Sequence, residues 1–270
     1  MHLTVLGCSG SVNGPGAACS GYLVSVPGEL PVLIDCGPGV FGELQAVADP
    51  NDVAVVLSHL HADHCMDLPA MLVWRRWAPV PAIGRVPLWG PEGTAGRIGA
   101  GSSEFPGEVD DISDTFEVSE WVEGQAVELR GLSFTPYRMD HPPATYGLRV
   151  TGPNGEVLAY SGDTAPCDEL VELARGADVF LCEASWTHDP ASRPPHLHMS
   201  GVEAGEAAEF DLQLGANDRA LFHSLYRDEQ RNVQVASFKR YEDLQPNAID
   251  DTLGQLADRE IRQQMGGLGQ

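Results

Sequence analysis

The chain is poor in positive charge. Its 270 residues hold 16 lysines and arginines against 39 acids, for a formal net charge of −23, and Lys239 is its single lysine. Residues 101–129 carry nine acids and neither lysine nor arginine. Such a surface repels polyanions and makes nonspecific binding to long RNA or DNA unfavourable. It reads as a solubilising shell. No apolar run reaches the about 18 residues that span a bilayer. The start, Met1-His2-Leu3-Thr4-Val5-Leu6, lacks a basic stretch ahead of a long apolar one and reads as a first strand rather than a signal peptide. The six cysteines (Cys8, Cys19, Cys36, Cys65, Cys167, Cys182) include no Cys-x-x-Cys pair. That favours reduced thiols in a cytoplasmic protein over a disulfide framework. Neither a membrane nor a nucleic-acid polymer is therefore expected as a partner.

What is present is a dense cluster of metal-ligand types. His59-Leu60-His61-Ala62-Asp63-His64 puts three imidazoles and one carboxylate within six positions of a chain that has nine histidines. All four side chains are ligands for first-row metals. The preceding run, Asp52-Val53-Ala54-Val55-Val56-Leu57-Ser58, reads as a short buried strand. The cluster then lies on the loop leaving a strand end, where a rigid frame aims side chains into a cleft. Residues spaced i, i+2 can grip one ion, and the Asp-His pair that follows can turn toward a second.

The hydrophobic content of 43% is that of an ordinary globular protein. Patterning predicts strands near 2–7, 20–26, 31–35, 53–57 and 86–90, and helices near 40–48, 67–77 and 91–99. Further strands are expected near 126–129, 132–138, 145–151, 156–161 and 178–183, with helices near 167–174 and 200–210. Pro153-Asn154-Gly155 is a hairpin signal. Ser200 with Glu203 makes a capping box. A strand over 219–222 leads to His223, and the stretch from about residue 250 reads as helical. With no composition break and no repeat, a single α/β domain over residues 1–270, with two sheets between helices, fits best.

Three more ligand types leave strand ends: His141 after Tyr137-Arg138-Met139-Asp140, Asp163 in Ala159-Tyr160-Ser161-Gly162-Asp163-Thr164, and His223 after Ala220-Leu221-Phe222. Taken singly, each is also explained as a rim histidine or a turn-forming aspartate. Taken with residues 59–64, their order resembles the metallo-β-lactamase-fold hydrolases, and within them the ribonuclease Z-like branch. The resemblance covers residues 3–224. It also includes Leu6-Gly7-Cys8-Ser9-Gly10-Ser11, Ile34-Asp35-Cys36-Gly37, Leu88-Trp89-Gly90-Pro91-Glu92-Gly93-Thr94, Tyr146-Gly147-Leu148-Arg149-Val150 and Tyr160-Ser161-Gly162-Asp163-Thr164.

The resemblance implies an αββα four-layer sandwich. It implies two Zn2+ ions per chain, with Mn2+ as the alternative. His59, His61 and His141 would hold one ion, Asp63, His64 and His223 the other, and Asp163 would bridge them. A hydroxide between the ions would attack phosphorus, with Asp63 as an acceptor that orients it and Asp35 supporting the ligands from behind. Leu181-Cys182-Glu183-Ala184-Ser185-Trp186 and His198-Met199-Ser200-Gly201 resemble the paired Glu and His motifs of the branch. Through them, His198 oriented by Glu183 would protonate the leaving alkoxide. A plain strand-end acid and a helix-entry histidine are the alternatives for these two.

Ribonuclease Z enzymes carry a long arm that grips tRNA, in the bacterial pattern between the middle His and the bridging Asp. Here only 21 residues separate His141 from Asp163. The nearer resemblance is to compact actinobacterial members described as atypical class II cyclic-nucleotide phosphodiesterases. The implied activity is hydrolysis of a small phosphodiester, foremost 3′,5′-cyclic AMP. A ribonuclease Z-type tRNA endonuclease and a catalytically silent metal- or nucleotide-binding scaffold are the alternatives. The resemblance also implies a homodimer. Beyond about residue 225 the chain departs from the family pattern, and His188 and His196 match no motif.

Overall fold

The computed structural model describes residues 1–78, 84–186, 194–211, 223–224 and 236–238. In chain order the elements are β1 (His2–Gly7), β2 (Gly21–Ser25), β3 (Val32–Ile34), α1 (Val40–Val47), β4 (Ala54–Val56), α2 (Ala62–Cys65), α3 (Leu68–Trp77), β5 (Val86–Gly90), α4 (Thr94–Ser102) and β6 (Phe116–Glu120). They continue with β7 (Val127–Leu129), β8 (Leu132–Arg138), β9 (Tyr146–Thr151), β10 (Val157–Tyr160), α5 (Asp168–Ala174), β11 (Val179–Cys182), α6 (Gly201–Asp211), β12 (His223–Ser224) and β13 (Ala236–Phe238). The described strands form two sheets, ordered β1-β2-β3-β4-β5-β6 and β12-β13-β11-β10-β9-β8-β7.

The side-chain period of two sorts each central strand into two cores. Val32 and Ile34 of β3 and Ala54 and Val56 of β4 meet Leu158, Tyr160 and Leu181 of the second sheet in the core between the sheets. The alternate residues Leu33, Val55 and Leu57 face the other way, with Leu44, Leu68, Met71, Leu72 and Ile98 of α1, α3 and α4. On the far side, Ala159, Phe180 and Cys182 pack with Leu170 and Leu173 of α5 and Ala204 of α6. Three stacked cores make four layers, α/β/β/α, as the sequence led us to expect. Helices on both outer faces explain why β4 reads as a continuous apolar run rather than an alternating one. A one-residue slip of β4 would exchange its two buried faces, so the register is tightly specified.

Polarity of the strands places the site. β3, β4 and β5 run parallel, so their C-terminal ends open on one edge. β10 and β11 are parallel as well. The residues leaving these ends are Asp35, Ser58-His59, Asp163 and Glu183.

Several local signals operate as read. Pro69 sits in the first turn of α3. Gly155, at φ 88°, turns β9 into β10. Ser200 and Glu203 bond reciprocally, the Ser200 N–H to Glu203 Oε2 at 2.8 Å and the Glu203 N–H to Ser200 Oγ at 3.3 Å. Two elements differ from expectation. The acidic stretch contains β6, whose Phe116 is buried while Glu117 and Glu120 face solvent. It pairs with β5 as an edge strand, where outward charges deter further pairing. The ligand motif is not all loop either: Asp63 and His64 ride the single turn α2. In the divergent C-terminal part, β13 pairs antiparallel with β11 and β12. Residues 219–222 and the stretch from 250 onward lie outside the described residues.

Candidate metal centre and acid–base pair

The site is built on Asp35, which is fully buried just past β3 with its backbone in the left-handed region at φ 58°. Aspartate tolerates that conformation better than most residues. Its carboxylate accepts four hydrogen bonds. Oδ1 takes the Ser58 N–H at 2.7 Å. Oδ2 takes the Ser58 hydroxyl at 2.7 Å, the Tyr160 hydroxyl at 2.7 Å and His64 Nδ1 at 2.8 Å. Gly37 lets the ligand turn approach: a Cβ there would stand 1.8 Å from the Asp63 carbonyl oxygen.

These bonds set the tautomers of two histidines. The Ser58 hydroxyl proton goes to Asp35, so Ser58 Oγ accepts from His59 Nδ1 at 3.0 Å. His64 Nδ1 donates to Asp35, and His141 Nδ1 donates to the Leu197 carbonyl. In the neutral form of each ring Nε2 is left as a lone pair turned inward, the arrangement that presents an imidazole to a metal. His59 Nε2 and His64 Nε2 are buried without any hydrogen-bond partner. Orphaned buried nitrogens are costly unless something binds them.

Asp163 lies at the centre. Its Oδ2 is 3.6 Å from His59 Nε2 and 4.0 Å from His141 Nε2, and its Oδ1 is 3.3 Å from His64 Nε2. Asp63 Oδ2 is 3.6 Å from His64 Nε2, and His61 Nδ1 is 3.2 Å from His141 Nε2. Asp163 also joins Glu183 and His198 in one set of donor atoms; the other donors fall into two sets, His59-His61-His141-Asp163 and Asp63-His64-Asp163, each spanning no more than 4.8 Å. One carboxylate serves both, with one oxygen toward each set. Imidazole and carboxylate donors with two orphaned nitrogens fit transition-metal cations.

The electrostatics agree. Burial lowers His59 far below the ordinary imidazole value, and lowers His61 and His141 as well, so these rings are neutral donors. Burial also disfavours charge on His64, but Asp163 and Asp35, one at each nitrogen, raise it well above 6.5. Burial alone would raise Asp163. The His64 and His59 rings facing it hold it far below the carboxylate range instead. Two carboxylates gripping one ring make a pocket that favours a cation.

Beside this cluster, Glu183 is buried after β11. It accepts the Thr164 N–H on Oε1 and the Ser185 hydroxyl on Oε2 at 2.8 Å. His198 Nδ1 lies 3.1 Å from Glu183 Oε1 and 3.9 Å from Asp163 Oδ2. Burial opposes charge on His198, yet the Glu183 hydrogen bond and charge raise it above 6.5. Burial raises Glu183 as well, and the hydrogen bond between the two favours a proton on the imidazole.

The fold thus brings together His59, His61, Asp63, His64, His141 and Asp163, with Glu183 and His198 at their side. His223 is a residue of β12, and its side chain lies outside what the structure describes, as does His188. Sequence reasoning did not single out Ser58, Tyr160, Thr164, Ser185 or the Leu197 carbonyl. Ser58 was legible only as the residue before His59, and the others become partners through tertiary packing alone.

A family model described as the beta-lactamase superfamily domain matches residues 31–224. An uncharacterized protein of Mycobacterium leprae (strain TN) is 57% identical over 208 residues, which cover 77% of this chain and 73% of that protein. The ribonuclease Z of Mycobacterium bovis (strain BCG / Pasteur 1173P2) is 32% identical over 197 residues, 67% of this chain and 69% of the relative. Among solved structures, the metallo-beta-lactamase fold protein YhfI from Bacillus subtilis gives a TM-score of 0.65 at 23% identity, covering 77% of this chain and 80% of its own. A diphosphatase of the PhnP family gives 0.57 at 25% identity, with 77% and 82% covered.

Proposed function

The chain belongs to the beta-lactamase superfamily, as a metallo-β-lactamase-fold hydrolase related to ribonuclease Z, and on that footing we propose that it is a two-metal phosphodiesterase acting on a small phosphodiester, foremost 3′,5′-cyclic AMP. The observation that carries the reading is the Glu183–His198 pair set 3.9 Å from the shared carboxylate of Asp163. A phosphodiester with a sugar alkoxide as leaving group needs a proton at that oxygen, and an imidazolium near neutral pH supplies it.

His59, His61 and His141 would hold one ion and Asp63 and His64 the other, with Asp163 between; His223 is proposed as a further ligand of the second. Zinc suits the donor set best, with manganese as the alternative. When bound, such ions supply Lewis acidity toward a phosphoryl oxygen and acidify water. Every other task falls to the chain. Asp63 accepts a hydrogen bond from the attacking water and orients it. His198 gives its Nε2 proton to the leaving oxygen, and Glu183 holds the ring and stabilises its charge. Ser58 and Asp35 keep His59 and His64 in the tautomers that face inward. Within a chain of net charge −23, the clustered cations would form a locus that attracts an anion.

Relationship to a ribonuclease Z favours tRNA processing as a second reading. Residues between His141 and Asp163 weigh against it: they form β9, a tight turn and β10, with no protruding insertion. The PhnP-family diphosphatase, which has this fold, lends support to hydrolysis at phosphorus as the reaction. Purified protein loaded with Zn2+ or Mn2+ and assayed on 3′,5′-cyclic AMP, bis(p-nitrophenyl) phosphate and precursor tRNA decides the matter. Turnover of the two small diesters is expected, and cleavage of tRNA alone would overturn the proposal.

A further inference from the structure

Three successive residues, His196, Leu197 and His198, each grip a different part of the site. His198 Nδ1 meets Glu183 at 3.1 Å. The Leu197 carbonyl accepts from Nδ1 of the ligand His141. His196 Nδ1 reaches Asp140, the residue just before His141, at 2.8 Å to Oδ2 and 3.1 Å to Oδ1. Behind them, the Trp186 N–H is anchored on the Met199 carbonyl at 2.9 Å. His196 is itself held at φ 59°, a conformation uncommon for a non-glycine residue and a sign that the surroundings over-determine it.

We propose, on the footing of the phosphodiesterase reading, that His196 is a positioning residue: its bond to Asp140 seats the 194–198 strap on the His141 loop and so registers His198 against the leaving group. His196 is 72% exposed, the most open of the three, and it touches none of the proposed ligand atoms. Its neighbour Leu197 meets the site through its backbone carbonyl. The chemistry at the site therefore does not need an imidazole at position 196. It needs a side chain that donates to Asp140 from a left-handed backbone. Asparagine meets both conditions. Glycine meets the backbone condition alone, and alanine meets neither.

The test compares His196→Asn, His196→Gly and His196→Ala with wild type, with His198→Ala as control. Each metal-loaded protein is assayed on an alkyl and a p-nitrophenyl phosphodiester, and backbone hydrogen exchange is followed over residues 196–200. An alkoxide needs protonation and p-nitrophenolate does not. His196→Ala and His196→Gly are expected to lose about fivefold in kcat on the alkyl ester, equivalent to ~1 kcal/mol at 1.36 kcal/mol per tenfold. KM and the p-nitrophenyl rate should hold, and exchange over 196–200 should quicken. His196→Asn should restore both. An Asn variant as impaired as Ala would show that the imidazole itself is required and would overturn the proposal. So would equal losses on both esters, or unchanged exchange in His196→Ala. If instead His198→Ala shows no leaving-group dependence while exchange quickens in Ala and not in Asn, the strap stands and the acid role of His198 falls.

Discussion

Replacing Asp35 by asparagine tests the frame of the site without touching a proposed ligand. The substitution keeps the shape and removes the charge and one acceptor. If the new amide nitrogen takes the Oδ1 position, it faces the Ser58 N–H that now donates there at 2.7 Å, and that buried donor is orphaned. If it takes the Oδ2 position, it faces three donors, of which the Ser58 and Tyr160 hydroxyls can rotate and His64 Nδ1 cannot. The first arrangement is the cheaper. It costs the unsatisfied Ser58 N–H, about 1–3 kcal/mol, plus roughly 1 kcal/mol for each of the three bonds that drops from charge-assisted to neutral. Allowing for non-additivity, a loss of ~3–5 kcal/mol is expected.

For a chain of this size, that lowers the melting temperature by about 6–20 °C. His59 and His64 also lose the partner that fixes their tautomers, so metal affinity should fall about 10–100-fold. Thermal unfolding of the chelator-stripped protein reads the first effect, and competitive titration against a zinc chelator reads the second. Tyr160→Phe removes one donor and leaves the charge, so its effects should be under half as large. An Asp35→Asn protein that melts within about 2 °C of wild type and holds metal equally well would refute the reasoning.

Asp163→Ala removes the one carboxylate among the described residues that faces both donor sets, and bound metal measured by elemental analysis should fall below that of wild type, with turnover of any diester lost. His198→Ala should slow alkyl diesters by about 10²–10⁴-fold, the usual contribution of a general acid, while sparing p-nitrophenyl esters; equal losses on both would exclude the acid role. The metal-free protein should show a stability maximum near the ordinary imidazole pKa. His59, His61 and His141 have lowered values, so they are neutral when folded but charge on unfolding in acid, and stability falls as pH drops below about 6.5. His64 and His198 have raised values, so their contribution is complete below that pH and drains away as pH rises toward their folded values. Unfolding midpoints between pH 5 and 9 should trace a dome, and a steady rise to pH 9 would contradict the assignments.

The ligand inventory and most of the elements are legible in the amino-acid order alone. His59 to His64 is legible because ligand types at that density, after an apolar run, have few other uses. Helices and strands are legible because their buried faces repeat at fixed periods, as in Val53 to Leu57. β6 escaped notice since its two inward residues are diluted by acids, and α2 since one turn is too short to leave a period. Which atoms meet is set by packing between distant segments. The parallel ends of β4 and β10 bring Asp163 to His59 across more than 100 residues, which no local pattern records. The tautomers of His59, His64 and His141 depend on Asp35, Ser58 and the Leu197 carbonyl, and a backbone carbonyl has no signature in sequence. His196 shows the same limit. It matches no motif, and its role follows from where the fold sets Asp140.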